Sequence, residues 1–527
     1  MEMRRLLISL TMAANLASVF VAGLKEENHQ QLATKAIKRE NLPWNIRDRF
    51  PSIIDGLDNG NPRQQRRPTS IIQALEVSNY KPQIFYPTMN GADPSGGSDS
   101  TMELQLTINQ AFEAASSHSL MEGIIDLGGV EVHLGGGQYV ISKPLTLPDL
   151  GGGNVVIHGG TIRASNLFPA DGFLLELATS ELREEWARLD GRLAESHAPP
   201  AFENIVLQNL LLDANYTAGG ILLLNPLRTI ITNCYITHFT TIGISVQGGH
   251  ETLIHSSFLG QHITSGAHPL EHSFSGTAIL LSGNDNSVTD VVIFSAQTAI
   301  EVDGQANIIT NVHCYNKATE YGGVGIIVRK GAIQTRILGS YLDYTGIVLE
   351  EPQEISVSDS FFLGDAYVLL RAHNDAPSVK GVSIVNNIFH GSNHGVPIVQ
   401  LQGNFSRIEQ TYVDGNSATG MVYRSTRARA SATRFGSEWT VDLSQTLLFP
   451  NSIAHVHYSF YALSTANNQN ATSTTGGSKA FPLHALKLVT PKVITVASDT
   501  PVQATVAIYV DQSFYNEDIG ENSQPYL

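Results

Sequence analysis

Seven charged side chains are gathered in one stretch of this chain: Glu301, Asp303, Arg329, Lys330, Glu350, Glu351 and Arg371. Cleaving a glycosidic bond by hydrolysis needs an acid to protonate the leaving oxygen and a carboxylate to activate water. Asp303 and Glu350 are the favoured pair. If they stand two stacked strands apart, their backbones are about 9.6 Å from one another. With side-chain freedom that suits the wider gap of an inverting mechanism, about 6.5–9.5 Å. Glu301, two residues before Asp303, offers a rival partner, and like charges this close push one carboxyl toward the protonated form a general acid needs. Arg329, Lys330 and Arg371 suit the carboxylates of an acidic sugar polymer. The sign alternation Asp303, Arg329, Glu350, Arg371 also reads as a structural ladder of surface ion pairs.

What must position these groups is a recurring strand ending. Gly220-Ile221-Leu222-Leu223, Gly243-Ile244-Ser245-Val246, Ala278-Ile279-Leu280-Leu281 and Ala299-Ile300-Glu301-Val302 come first. Gly325-Ile326-Ile327-Val328, Gly346-Ile347-Val348-Leu349 and Tyr367-Val368-Leu369-Leu370 follow. A strand-sized unit returning every 20 to 35 residues or so implies a solenoid, because one unit cannot bury its apolar face alone. With each Ile (or Val368) inward, alternation puts two rows outward. One reads Leu224, Gln247, Ser282, Asp303, Arg329, Glu350, Arg371; the other reads Leu222, Ser245, Leu280, Glu301, Ile327, Val348, Leu369. Gln247 thereby joins the candidate binding residues. A second landmark, Asn209, Asn233, His255, Asp290, Asn311, Gly339, Asp359 and Asn387, precedes apolar pairs and implies a stacked polar bend. The expected fold is all-β: a right-handed parallel β-helix with a capping N-terminal helix and a small C-terminal antiparallel β-domain.

The cap is the helical pattern Met102 to Ala115, with Leu104, Ile108, Ala111, Phe112 and Ala115 on one face and Asp99 or Ser100 at its start. Residues 179–197 are charged and helix-prone, an expected surface insertion. The expected organisation is a signal peptide at 1–23, a flexible lead at 24–80, the β-helix at 81–431 and the C-terminal β-domain at 432–527. A polar loop is expected at 464–478. Two arginines ahead of a short, interrupted apolar run carry the secretion reading. Sequons at Asn215, Asn404 and Asn470 agree with export.

The 527 residues are 42% hydrophobic and only 15% charged, with 46 glycines. That composition fits a turn-rich β protein. A net charge of -16 argues against nucleic acid as a partner. The two cysteines, Cys234 and Cys314, fall three coils apart, about 14 Å, beyond the reach of a disulfide. Two free buried thiols are expected. Gly135-Gly136-Gly137 and Gly151-Gly152-Gly153 lack the residues of a phosphate loop. His197, His268, His272 and Cys234 lack metal-ligand spacing, and no metal or organic cofactor is expected. Gly248-Gly249-His250-Glu251 and Gln261-His262 read as loops bordering the face. Gly283-Asn284-Asp285-Asn286 reads as a turn.

The loop GADPSGGSDST at 91–101, followed by a helix, resembles the entry of pectate-lyase-superfamily β-helices. Longer strings resemble the plant quartet-type polygalacturonases of pollen tetrad separation: GGTIRASNLFPADGFLLEL, GHETLIHSSFLGQH, GNDNSVTDVVIFSAQTAI, GQANIITNVHCYNKAT, SYLDYTGIVLEEP and FFLGDAYVLL. The resemblance runs from about Ile84 to Gln512. It implies a secreted, monomeric cell-wall enzyme that hydrolyses α-1,4-galacturonan in pectin, with pollen mother-cell wall breakdown as a setting. Typical polygalacturonases place acids two or three residues before the strand Ile; here the position two before holds Ile242, Thr277, Thr298 and Val324. Their Arg-Ile-Lys is half matched, the Arg-x-Lys position holding Ile327 and Arg329. Two rival readings stand beside hydrolysis. One is a lyase in which Glu301, Asp303 and Glu350 hold Ca²⁺ and Arg329 is the base. The other is a non-catalytic pectin-binding wall protein.

Overall fold

The structure is a computed structural model that describes residues 83–114, 118–189, 191, 193, 199–262, 275–315, 323–373, 377–462 and 482–513. The expected signal peptide, the 24–80 lead, Ala115, the 464–478 loop and Asn470 lie outside them. Residues 81–527 group as one compact unit.

The chain winds as a parallel β-helix. One wall is a 10-stranded sheet that runs from Leu145–Thr146 through Phe173–Leu177, Gly219–Leu224, Ile242–Gln247, Thr277–Leu281, Thr298–Val302, Val324–Val328, Ile347–Glu350 and Val368–Arg371 to Val399–Gln402. Its pairings are parallel, and all seven recurring residues lie in one file: Ile221, Ile244, Ile279, Ile300, Ile326, Ile347 and Val368. Leu175 and Val399 extend the file at its two ends. Every member is buried, and each contributes about 1.5–3 kcal/mol by leaving water.

The remaining walls are short parallel strands that meet at a bend. Its residues adopt left-handed φ near 50–60°: Asn209, Asn233, Ser256, Asp290, Asn311, Gly339, Asp359 and Asn386. The expected ladder is one residue off at two places, because Ser256 and not His255, and Asn386 and not Asn387, make the turn. Asn233 donates through Nδ2 to Asn209 Oδ1 at 2.6 Å, and Asn311 to Asp290 Oδ1 at 3.2 Å. Asn387 instead sits fully buried, where its Oδ1 accepts from the Ser360 amide at 2.9 Å. A second buried ladder occupies the corner after the 10-stranded sheet. Asn286 Oδ1 accepts from Thr252 N, and Asn307 Oδ1 from Asn286 N. These side chains satisfy amides that the turning backbone leaves unpaired.

Thr101–Glu113 forms the end cap with Leu104, Ile108, Ala111 and Phe112 buried. Asp99 Oδ1, rather than the Ser100 side chain, accepts from the first helical amide at 3.0 Å. At the other end, Arg427–Asp442, His455–Ala462, His484–Val489 and Val493–Asp511 form an antiparallel sheet around Trp439. The 431/432 boundary expected from sequence falls inside the first of these strands. The sheet is tied back to the last coils through Ser513 Oγ, which accepts from Thr411 N, and through Arg427, whose Nη1 lies 3.8 Å from Asp414 Oδ2.

Both cysteines are free and buried. Burial pushes the Cys234 thiol up to about 11 and raises that of Cys314 as well. Neither thiol will react with a thiol-exchange reagent near neutral pH until the protein is unfolded, when two will titrate per chain. Truncating Ile326 to Ala should lower the unfolding free energy by about 2–5 kcal/mol, measured from denaturant midpoints. A loss under about 1 kcal/mol would show that the file is not a tightly packed core.

Candidate active site

The outward rows of the 10-stranded sheet meet two different environments. Over its first strands the chain folds back as the helix Ser180–Arg188, capped by Thr179 Oγ1 accepting from Leu182 N. Leu182, Leu193 and Trp186 pack on Phe173, Leu222, Leu224 and Ile242. The described part of the charged insertion expected at 179–197, residues 179–189, 191 and 193, is therefore a roof with an apolar underside. Gln247 lies beneath it, 0% exposed. Its Oε1 accepts from Leu193 N at 3.3 Å, and its Nε2 donates to Ser245 Oγ at 3.0 Å. Gln247 cannot reach a polymer. Its amide holds the roof down, and it leaves the candidate binding set.

Beyond the roof, from Thr277–Leu281 to Val399–Gln402, the sheet bears the charged patch. Arg329 bridges two carboxylates on neighbouring strands, with Nε to Glu301 Oε1 at 2.9 Å and Nη1 to Glu350 Oε1 at 3.2 Å. Burial opposes its charge, but the Glu301 bond and the fields of Glu301 and Glu350 raise its pKa overall. Arg371 Nη1 reaches the same Glu350 Oε1 at 3.1 Å, and its Nε donates to Gln402 Oε1 at 2.8 Å. His373 Nε2 lies 3.2 Å from that oxygen too. Lys330 pairs with Glu351 at 2.8 Å, and Glu351 also accepts from His373 N at 3.1 Å.

The expected acid pair is thus split in character. Glu350 is 7% exposed and held at Oε1 by three side chains, while its Oε2 has no hydrogen-bond partner among the described residues. Asp303 is exposed, and its carboxylate pairs with none of the described side chains. The ladder reading holds for Glu301, Arg329, Glu350 and Arg371 and stops short of Asp303. His373, Gln402 and Glu351 complete the patch. Sequence reasoning had left out His373 and Gln402, although both sit within two residues of the outward row or on the next coil in register.

The donor set does not suit Ca²⁺. The cation takes several oxygen ligands, and here the carboxylates of Glu301 and Glu350 face two guanidinium groups. Among the described residues no cluster of three or more His, Cys, Asp or Glu is arranged for a metal.

The bordering loops resolve into local contacts. His250 pairs with Asp285 at 3.2 Å across exposed turns. His262 is buried, with its Nδ1 3.3 Å from the Tyr216 hydroxyl. His238 Nδ1 meets Asp213 at 2.7 Å, and despite burial that bond keeps the Asp213 carboxyl below its ordinary pKa. Of the sequons, Asn404 is exposed, whereas Asn215 is half-buried with Nδ2 donating to Asn166 Oδ1 at 2.9 Å.

Together these features define a parallel β-helix protein with a carboxylate-and-arginine face on one wall. No protein-family model matches the chain. It is 48% identical over 436 residues, 82% of this chain and 85% of the relative, to Polygalacturonase QRT3 of Arabidopsis thaliana. The chain belongs to the polygalacturonase family of that relative. Among solved structures it is similar to the endo-xylogalacturonan hydrolase from Aspergillus tubingensis, at 11% identity over 64% of this chain and 92% of that one, with a TM-score of 0.41. It is similar also to the Dettilon tailspike protein, at 13% identity over 81% of this chain and 94% of that one, with a TM-score of 0.45.

Replacing Gln247 with Ala should lower stability by about 1–3 kcal/mol, the cost of stranding buried partners. It should leave the Michaelis constant for polymer unchanged. A raised Michaelis constant with unaltered stability would return Gln247 to the binding surface.

Proposed function

We propose that this protein is a secreted plant cell-wall polygalacturonase, a glycoside hydrolase that cuts the α-1,4-galacturonan of pectin. The observation that carries this reading is the 48% identity to Polygalacturonase QRT3 over 82% of the chain. The exposed patch beyond the roof supplies a chemical basis. Among the described residues no helix is long and apolar enough to cross a membrane. The apolar N-terminal run after Arg4 and Arg5 supports export, and Asn404 is the described sequon whose side chain stands open to a glycan.

In this reading the two carboxylates divide the work. The bonds on Glu350 Oε1 fix its plane and leave Oε2 to accept a proton from water. The water oxygen attacks the anomeric carbon as that carbon's bond to the leaving sugar breaks. Asp303, about two coils away, donates a proton to the leaving oxygen. Glu301 orients Arg329, and Arg329, Lys330 and Arg371 line the bound chain.

Purified protein given pectin or polygalacturonate should release reducing ends without ultraviolet-absorbing unsaturated sugars, and EDTA should leave the rate unchanged. Unsaturated products would establish elimination instead, and binding without any cleavage would leave a wall-binding protein. Asp303→Asn and Glu350→Gln should each lower kcat by about 10²–10⁴-fold. If activity survives in both while the fold is intact by circular dichroism, the acid assignment is wrong.

A further inference from the structure

We infer that the outer face of the C-terminal antiparallel sheet is a second, non-catalytic binding site for an acidic sugar polymer, centred on Arg429 and Tyr509. The inference takes its ligand class from the hydrolase reading above, gives the same galacturonan a second foothold, and concerns binding alone.

The first reason is charge. Three paired segments, 427–435, 455–462 and 503–511, make this part of the sheet. Together they hold three arginines, two histidines and a single acid, Asp511, a net of +2 with the histidines neutral, on a chain whose net charge is -16. The other cations here are engaged. Arg427 pairs with Asp511 at 2.8 Å, and Arg434 donates to the Glu438 carbonyl. Arg429 is exposed and pairs with no carboxylate among the described residues; its guanidinium lies over the Tyr509 ring, 5.4 Å from the centroid. That contact holds the planar fork in place without neutralising it. A fork so held suits the carboxylate of a uronic acid.

The second reason is shape. Arg429, Tyr509 and His457 lie side by side across three strands, and the next outward row reads Ser431, Ala507 and Ser459. Large side chains beside small ones leave a shallow groove of about 400 Å³ floored by Ala507. The row of small residues is about 9.6 Å wide between its outer strands, room for a sugar ring. The two serine hydroxyls can donate to or accept from sugar hydroxyls, and the exposed His457 supplies another polar contact at the rim. Each coordinate of the site therefore has a partner on a uronate: the fork for its carboxylate, the hydroxyls for its own, and the Tyr509 ring for its carbon face. A polymer repeats these groups on every unit, so one molecule can hold this face and the charged wall together, and the first contact raises the effective concentration at the second.

The experiment is a calorimetric titration of the full chain, carrying Glu350→Gln to prevent cleavage, with a short oligogalacturonide. Two sites are expected. Adding Arg429→Ala should weaken one of them by about three- to tenfold, and salt should weaken that site in the parent. Ser459→Trp, which fills the floor from an exposed position, should abolish it while circular dichroism shows the fold intact. A single site that neither substitution moves would overturn the inference and leave the hydrolase reading standing. A single site that both substitutions move would uphold this inference and count against binding at the charged wall. Equal affinity for a neutral xylan fragment would overturn the acidic ligand class. A dimer in sedimentation that Arg429→Ala dissolves would assign the face to a second copy of the chain and overturn the inference as well.

Discussion

Backbone hydrogen bonding between parallel strands in strict register is the constraint on which everything else here depends. Because Ile221 lies beside Ile244 and so on to Val368, each coil repeats the orientation of the one before. The same register that buries the file of Ile side chains also delivers Glu301, Arg329, Glu350 and Arg371 to one outer face. Folding energy and site geometry therefore share a cause. The turns carry the remaining burden. Left-handed Asn, Asp, Ser and Gly residues let the chain bend at the same point of each coil, and buried Asn ladders pair the amides at the corner.

Within that frame the patch is organised around one atom, Glu350 Oε1, which receives Arg329, Arg371 and His373. A carboxylate so surrounded is expensive to bury alone and tolerable only with its partners. The arrangement spans five successive strands from Glu301 to Gln402 without a gap. It makes a floor of paired charges and sets the exposed Asp303 apart at its edge.

Much of the fold was legible because a solenoid writes its period into the chain. The recurring Ile positions, the capping helix, the free cysteines and the antiparallel end could each be read from spacing or alternation. What escaped has physical reasons. Gln247 looked like a member of the outward row, and it is, but a segment some sixty residues earlier folds over it. Nothing in the local pattern announces a roof. The bend ladder slipped by one residue at Ser256 and Asn386 because neighbouring polar residues are equally able to adopt φ above zero. The start of the C-terminal sheet was set too late because the inward residues that open Arg427–Asp442 are Ala428, Ala430 and Ala432, whose small side chains give only a faint apolar alternation. At the site, sequence located the charged groups but not their pairing, since Arg329 reaches across to Glu301 and Glu350 and leaves Asp303 open.

A stacked sheet also quantises its surface. Outward positions occur only at steps of about 4.8 Å along the axis and about 6.5–7 Å across it, so the face behaves as a lattice with fixed sites. Evolution cannot slide Asp303 toward Glu350 by a fraction of an ångström through substitution. It can only change which lattice point holds a carboxylate, or add and delete whole coils. Fine adjustment must come from side-chain length, as between Asp303 and Glu301, and from the loops at the rim. That division accounts for how acids can be absent from the usual polygalacturonase positions while the wall that would carry them stays unchanged: the chemistry can be moved to other nodes without rebuilding the grid.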